Sequence, residues 1–227
     1  MKNKYSVRIM RSAIKNLKNV GFGEITYMNY GSINSRGVID KKDIVGLYGQ
    51  NGSGKTALVE ALDILKNVIR GVAVPFDVYA GILSRENPTV ITTDFFITRD
   101  KKKYKATYEA YLRANDDLKK IEIFKEKLTY WTRGSTWKAE RDITFENPYY
   151  EDMDLLSQQN LSIESEHRSS FEDIPFLLSI QNLALISAQN YRSVLFNSNV
   201  LKGTRELKET DETIAFRDVI IGIMQFG

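Results

Sequence analysis

Two hydrophobic periods run along this chain and divide it into regions. Between residues 89 and 145 the repeat is two. Residues 89–98 are rich in β-branched and aromatic side chains. In residues 103–112, Tyr104, Ala106, Tyr108, Ala110 and Leu112 fall on one side, and Lys103, Lys105, Thr107 and Glu109 fall on the other. Side chains on a strand alternate between faces, so this run reads as a strand with one face buried. Residues 121–131 and 137–145 continue the pattern. Turn-forming clusters at Asp100-Lys-Lys, Asn115-Asp-Asp and Arg133-Gly-Ser separate the runs. The expectation is an antiparallel β-rich segment over residues 76–147.

Upstream the period lengthens. Leu58, Ala61, Leu62, Leu65 and Ile69 recur at helical spacing and share one face. Arg70-Gly71 then reads as a helix stop. Just before this helix, Ile44, Val45, Leu47 and Tyr48 form a short apolar run of the kind a buried strand shows. Downstream, residues 148–170 are polar and acidic and read as a loop. Residues 176–185 are apolar and read as a buried helix ending in a short strand at 183–187. Val219-Ile-Ile-Gly-Ile-Met-Gln-Phe226 carries no charge over eight residues before Gly227. Chain ends are more often polar and solvated, so this ending predicts one part of a longer or split protein.

Composition removes several function classes. The 227 residues hold no Cys and a single His, His167. Disulfide scaffolds, Cys-based zinc sites, thiol catalysis and multi-His metal sites are therefore excluded. His167 sits between Glu166 and Arg168 and reads as a solvated surface residue. Lys+Arg number 32 and Asp+Glu 29, an excess too small to diagnose nucleic-acid binding. There is no signal-peptide core and no apolar run of membrane-spanning length. The expectation is a cytoplasmic α/β protein with no membrane partner.

The segment between the apolar run and the helix carries the chemistry. Gly49-Gln-Asn-Gly-Ser-Gly-Lys-Thr56 satisfies G-x-x-x-x-G-K-[ST]. Glycines let the backbone curl so that successive N–H groups point at phosphate oxygens, and the helix that follows offers its positive end to the same anion. Lys55 is expected to reach the β- and γ-phosphates of ATP and the Thr56 hydroxyl to ligate Mg²⁺. Side chains at Gly52 or Gly54 are expected to block the approach. The nucleotide-binding set is Gly49, Gln50, Asn51, Gly52, Ser53, Gly54, Lys55 and Thr56.

Asn51 and Gly52 make this loop resemble the G-x-N-G-[SA]-G-K-[ST] loop of ABC-type ATPase heads, whose soluble members include SMC proteins, RecF and the OLD-type ATPases of anti-phage systems. Ile14-Lys-Asn-Leu-Lys-Asn-Val20 resembles the strand and turn that open such heads. By that resemblance Lys18 lies near the ribose or α-phosphate. Ile123-Phe-Lys-Glu-Lys-Leu128, after Tyr108-Glu-Ala-Tyr111, is similar to an "E-x-L" strand of OLD-type ATPases. Ala184-Leu-Ile-Ser-Ala-Gln-Asn-Tyr-Arg192 resembles the Q-loop of these heads, which implies that Gln189 touches Mg²⁺ and senses the γ-phosphate. In OLD-like relatives Arg192 would take that place.

The resemblance implies a P-loop NTPase head: a mixed sheet around the P-loop helix, an antiparallel β subdomain and a helical segment. Its parts are residues 1–75, 76–147 and 148–227 of a single, incomplete head. An acidic strand for Mg²⁺ and water and a signature motif are missing. Val90-Ile-Thr-Thr-Asp94 is the nearest decoy, and it falls in the antiparallel region. The resemblance also implies a second ATPase head as homo-oligomeric partner, and a nuclease or toxin effector or DNA as target. Lys101-Lys-Lys-Tyr-Lys105 and Lys119-Lys120 are the basic clusters that could serve DNA, although lysines are common on any edge strand. An independent P-loop kinase and an interaction module that binds nucleotide without turnover remain alternatives.

Overall fold

The computed structural model describes residues 5–27, 46–50, 52, 54–133, 137–146, 191–198, 200–202, 209 and 211–226, with residues 137–146 described by backbone course alone. β1 (Tyr5–Leu17) and β2 (Val20–Thr26) form an N-terminal hairpin. β3 (Thr89–Arg99), β4 (Lys102–Asn115), β5 (Lys120–Arg133) and β6 (Trp137–Glu146) form the meander that the alternation predicts. The readings at 148–170, 176–185 and 183–187, with His167, lie outside the described residues.

All six strands belong to one sheet, ordered β2-β1-β3-β4-β5-β6. Every pairing is antiparallel. Among the described residues the N-terminal strands extend the meander's own antiparallel sheet, while Ile44, Val45 and residues 183–187 lie outside them. Short turns at 18–19, 100–101 and 116–119 force their flanking strands antiparallel, whereas a parallel neighbour needs a long crossover. Lys18, Asp100 and Lys119 take left-handed φ values of 54°, 54° and 51° to close these turns.

Two bulges keep the inward faces in phase. Val7 pairs with Ile97 and Ile9 with Phe95, but beyond the irregularity at Met10 it is Ser12 and Ile14 that oppose Thr93 and Ile91. The extra residue shifts the inward positions of β1 from odd to even, so Ser12 and Ile14 stay on the core side that Val7 and Ile9 occupy before it. A second bulge between Tyr111 and Leu112 does the same for β5. Ile121 and Ile123 face inward before it, and Glu126, Leu128 and Tyr130 after it.

The inward face is covered by helices. α1 (Lys55–Ile69) packs on β1 and buries Ala57, Leu58, Ala61, Ile64, Leu65, Val68 and Ile69. Leu62, expected on that face, is only partly buried. Complete burial of Ile64, Leu65, Val68 and Ile69 stabilises the fold by roughly 1.5–3 kcal/mol each before chain entropy is counted. A short α2 (Phe76–Tyr79) and a 3-10 turn (Ala80–Ile82) lead into β3. α3 (Asp211–Met224) packs on β3 and β1. The uncharged run at 219–226 takes part in this packing. Val219, Ile220 and Ile223 are buried, Phe226 stands edge-on to Phe95, and Gly222 lets the helix close on Ile97.

One polar group ties α3 down. Asp218 is fully buried and accepts from the Tyr104 hydroxyl at 2.8 Å and the Tyr5 hydroxyl at 3.1 Å, while Arg99 pairs with it. Burial, then the Asp218 charge, pushes the Tyr5 hydroxyl up to about 12.

Candidate functional site

The phosphate loop leads straight into α1. Gly54 is the cap of that helix, with φ 83° and no side-chain cap, and the first turn carries no acidic residue. The leading N–H groups are thus left to whatever lies in front of the helix, and the helix dipole gives that place a positive potential. Gly52 also has a left-handed φ of 85°, a conformation that costs other L-residues about 1 kcal/mol or more. The two glycines are needed for different reasons. A Cβ at Gly54 would lie 3.0 Å from Cγ2 of Val20 on β2, so crowding adds to the strain there. At Gly52 a Cβ would meet nothing within 4 Å. Within the loop itself, the requirement at Gly52 is its left-handed φ.

Lys55 folds back over the loop. Its ammonium donates to the carbonyl oxygens of Gly49 at 2.6 Å and Gln50 at 2.7 Å. These contacts hold the cation above the bare helix end, where an entering phosphate would exchange carbonyl acceptors for charged ones. Thr56 lies exposed in the first turn of α1. Together these groups fit a triphosphate and one Mg²⁺: a curled backbone, a helix N-terminus, one lysine and one hydroxyl, with no carboxylate in the first turn to repel the anion. Asn51, Ser53 and Gln189 lie outside the described residues. Tyr191 has a left-handed φ of 57°, and Arg192 is exposed.

Of the apolar run before the loop, Ile44 and Val45 lie outside the described residues. Residues 46–50 form no strand, and Tyr48 is 94% exposed. Among the described residues no strand pairs with residues 46–50. Tyr48 instead walls a cavity of about 320 Å³ together with Val20 and Phe22 of β2, Gly49, Lys55 and Leu58. The cavity places β2 opposite the lysine and the helix end.

Lys18 stands in the β1–β2 turn. Its backbone N–H donates to Ile82 at 2.7 Å. Its ammonium donates to Glu60 on α1 at 2.7 Å. The turn is thereby tied to the helix that follows the loop, although Lys18 does not line the cavity. Sequence reasoning missed Glu60. Its only trace there is its helical spacing, five residues beyond Lys55.

Asp94, the decoy for a metal-holding carboxylate, has a structural part instead. It is buried on β3 and accepts from Arg11 at 2.8 Å and Thr107 at 2.8 Å. The lysine cluster lies elsewhere. Lys101, Lys102, Lys103 and Arg133, with Asp211, line a separate cavity of about 380 Å³. Burial, then the like charge of Arg133, lowers the Lys105 ammonium. Lys119 lies over the Phe76 ring at 5.4 Å. No helix among the described residues is long and apolar enough to cross a membrane.

No match to a curated protein is found. Residues 44–202, well over half of the chain, match a family model described as "AAA domain, putative AbiEii toxin, Type IV TA system". The match begins just ahead of the phosphate loop and runs through the antiparallel meander. Such ATPases generally use ATP and Mg²⁺. The chain belongs to this family of AAA-domain P-loop ATPases.

Proposed function

We propose that the chain is the ATP-binding head of an ABC-type, OLD/RecF/SMC-like ATPase that works as a nucleotide-driven motor or sensor in a DNA-linked or anti-phage complex. One observation carries this reading. Lys55 is held over a loop with left-handed glycines at the uncapped N-terminus of α1, with the β1–β2 hairpin packed beside it. In this reading the backbone of residues 49–56 cradles the phosphates, with Asn51 and Ser53 in the loop. Thr56 and Gln189 hold Mg²⁺ through ATP. Lys18 leaves Glu60 for the ribose or α-phosphate side.

The chain acts as a single head, with residues 1–75, 76–147 and 148–227 as its parts. A second head is its partner, and the target is a toxin or nuclease effector or DNA. The family description's mention of a toxin–antitoxin system supports an effector-linked role. Asp94 is committed to Arg11 and Thr107, so catalytic carboxylates must come from elsewhere. Mg-ATP binding and turnover measured against protein concentration, beside Lys55→Ala, test the reading. Tight binding that Lys55→Ala abolishes, with slow or concentration-dependent turnover, is expected. Fast turnover independent of concentration favours a kinase-like enzyme, and binding that never leads to turnover favours an interaction module.

A further inference from the structure

One end of the sheet gathers positive charge that edge protection does not explain. The edges of the sheet are β2 and β6, whereas Lys101, Lys102 and Lys103 stand at the turn between β3 and β4, its two central strands. Lysines that guard against edge pairing belong on edge strands. These three instead line a cavity of about 380 Å³, together with Arg133 from the end of β5. Buried Tyr104 and Ala215 form part of its wall, and Asp211 is the one carboxylate among its lining residues. Four cations against one carboxylate is as large an excess as the +3 of the whole chain. Neighbouring carboxylates are engaged elsewhere. Asp218 is held by Arg99, Tyr5 and Tyr104, and Asp100 also acts on Arg99. On β6, Trp137 and Lys138 register with Arg133 and Thr132, so that strand brings no carboxylate position to this end. The charge of Arg133 reaches Lys105 as well, and after burial it is the second cause that lowers that ammonium.

Like charges crowded together favour an anion placed among them. The phosphate loop lies at the other end of the sheet. Its cavity is lined by Ile14, which registers with Ile91 near the start of β3, whereas the lysine turn follows Arg99 at the end of that strand. Strand rise puts the two ends about 25 Å apart, and the two cavities share no lining residue. We propose that the cavity at the β3–β4 turn is a second anion site, which takes phosphate groups of a ligand other than the nucleotide at the loop. Lysine offers phosphate oxygens a compact charge, and Arg133 a planar fork of donors. A free polyphosphate and the backbone of a nucleic-acid strand share this chemistry. The proposal stands apart from the nucleotide reading, because neither Lys55 nor its loop takes part.

The test uses the 227-residue chain carrying Lys55→Ala, which suppresses the phosphate loop. Inorganic tripolyphosphate is titrated by calorimetry, and a labelled oligothymidylate by fluorescence anisotropy over a range of salt. Lys101→Ala/Lys102→Ala should weaken tripolyphosphate, oligothymidylate or both about tenfold, while Lys119→Ala/Lys120→Ala should change each less than about twofold. The second pair removes the same charge from the β4–β5 turn at the other end of the sheet, and all four lysines are exposed. Oligothymidylate that weakens, with a log–log salt slope shallower by about 0.7 for each lysine removed, assigns the site to a nucleic-acid strand. Tripolyphosphate that weakens while oligothymidylate does not bind, or binds without regard to the two lysines, assigns it to a free polyphosphate. No binding of either probe overturns the proposal. So does equal loss in the two pair variants, which marks attraction to net charge, and so does a folded Lys101→Ala/Lys102→Ala chain that binds both probes as its parent does. If that variant does not fold, Lys101→Gln/Lys102→Gln decides, because it keeps most of each side chain and removes only the charge.

Discussion

The buried ionic groups of the sheet and the exposed ones around the phosphate loop are held in opposite ways. Asp94, Glu122, Glu126 and Asp218 are nearly or fully buried, and each is met by donors from neighbouring elements. Lys55 and Lys18 are accessible, and their named partners are backbone carbonyls and one glutamate that a phosphate could replace. A buried charge that loses a partner has no water to turn to, whereas an exposed one does. Stability should therefore reside in the sheet's carboxylates and ligand binding in the loop, and the two should separate on mutation.

The largest expected effect tests the first half of that separation. Asp218→Ala strands Arg99 and two tyrosine hydroxyls beneath α3, and should cost about 4 kcal/mol in urea denaturation. Mg-ATP affinity of the folded fraction should not change. The same cluster sets an alkaline limit. The folded Tyr5 hydroxyl lies at about 12, above its ordinary value. The folded state therefore holds its proton more tightly than the unfolded state does. That contribution is complete below pH about 10 and is lost as pH rises through the folded value. Stability measured across this range should fall more steeply in wild type than in Tyr5→Phe.

Lys55→Ala tests the second half. Removing an ammonium that serves two or more phosphate oxygens should weaken Mg-ATP binding about a hundredfold, with little change in melting temperature. A variant that melts much lower would mean that the lysine's carbonyl contacts hold the fold as well, and the two regions would not be separable.

Gly71→Ala lies where the regions meet. The glycine follows α1, its φ is positive, and a Cβ would strike the Phe196 carbonyl. Strain and displacement together should cost about 2 kcal/mol by thermal or urea denaturation. Gly52→Ala also carries a positive φ but meets open space, so it should cost about 1 kcal/mol. Equal costs at the two sites would show that the Phe196 carbonyl yields freely.

Much of this contrast was readable in the residues. Alternation fixed the strands from β3 to β6, because a half-buried strand must separate its faces, and helical spacing followed by Arg70-Gly71 fixed α1. The loop was legible because phosphate chemistry demands glycines and a lysine at set spacing. Partnership between distant segments was not legible. Nothing local says that β1 joins β3, that Lys18 meets Glu60, or that Ser193 and Val194 seat on Glu126. A trace existed for the last. Glu126 stands where the β5 pattern, once its bulge is counted, calls for an apolar side chain.

The smallest effect is the most discriminating. The Lys18–Glu60 pair is about a third exposed on each side, and such pairs contribute less than about 1 kcal/mol. Lys18→Ala should therefore shift stability by about 0.5 kcal/mol or less. If Lys18 does turn to the nucleotide, the same substitution should weaken Mg-ATP about tenfold, the magnitude of one hydrogen bond to a charged group. Glu60→Gln gives the opposite sign, because it releases Lys18 from its carboxylate and should leave affinity equal or slightly tighter. In Lys18→Ala/Glu60→Gln that gain should vanish. Affinity that falls equally in both single variants would instead make the pair a brace between the β1–β2 turn and α1, and would move Lys18 from the loop's group of residues to the sheet's.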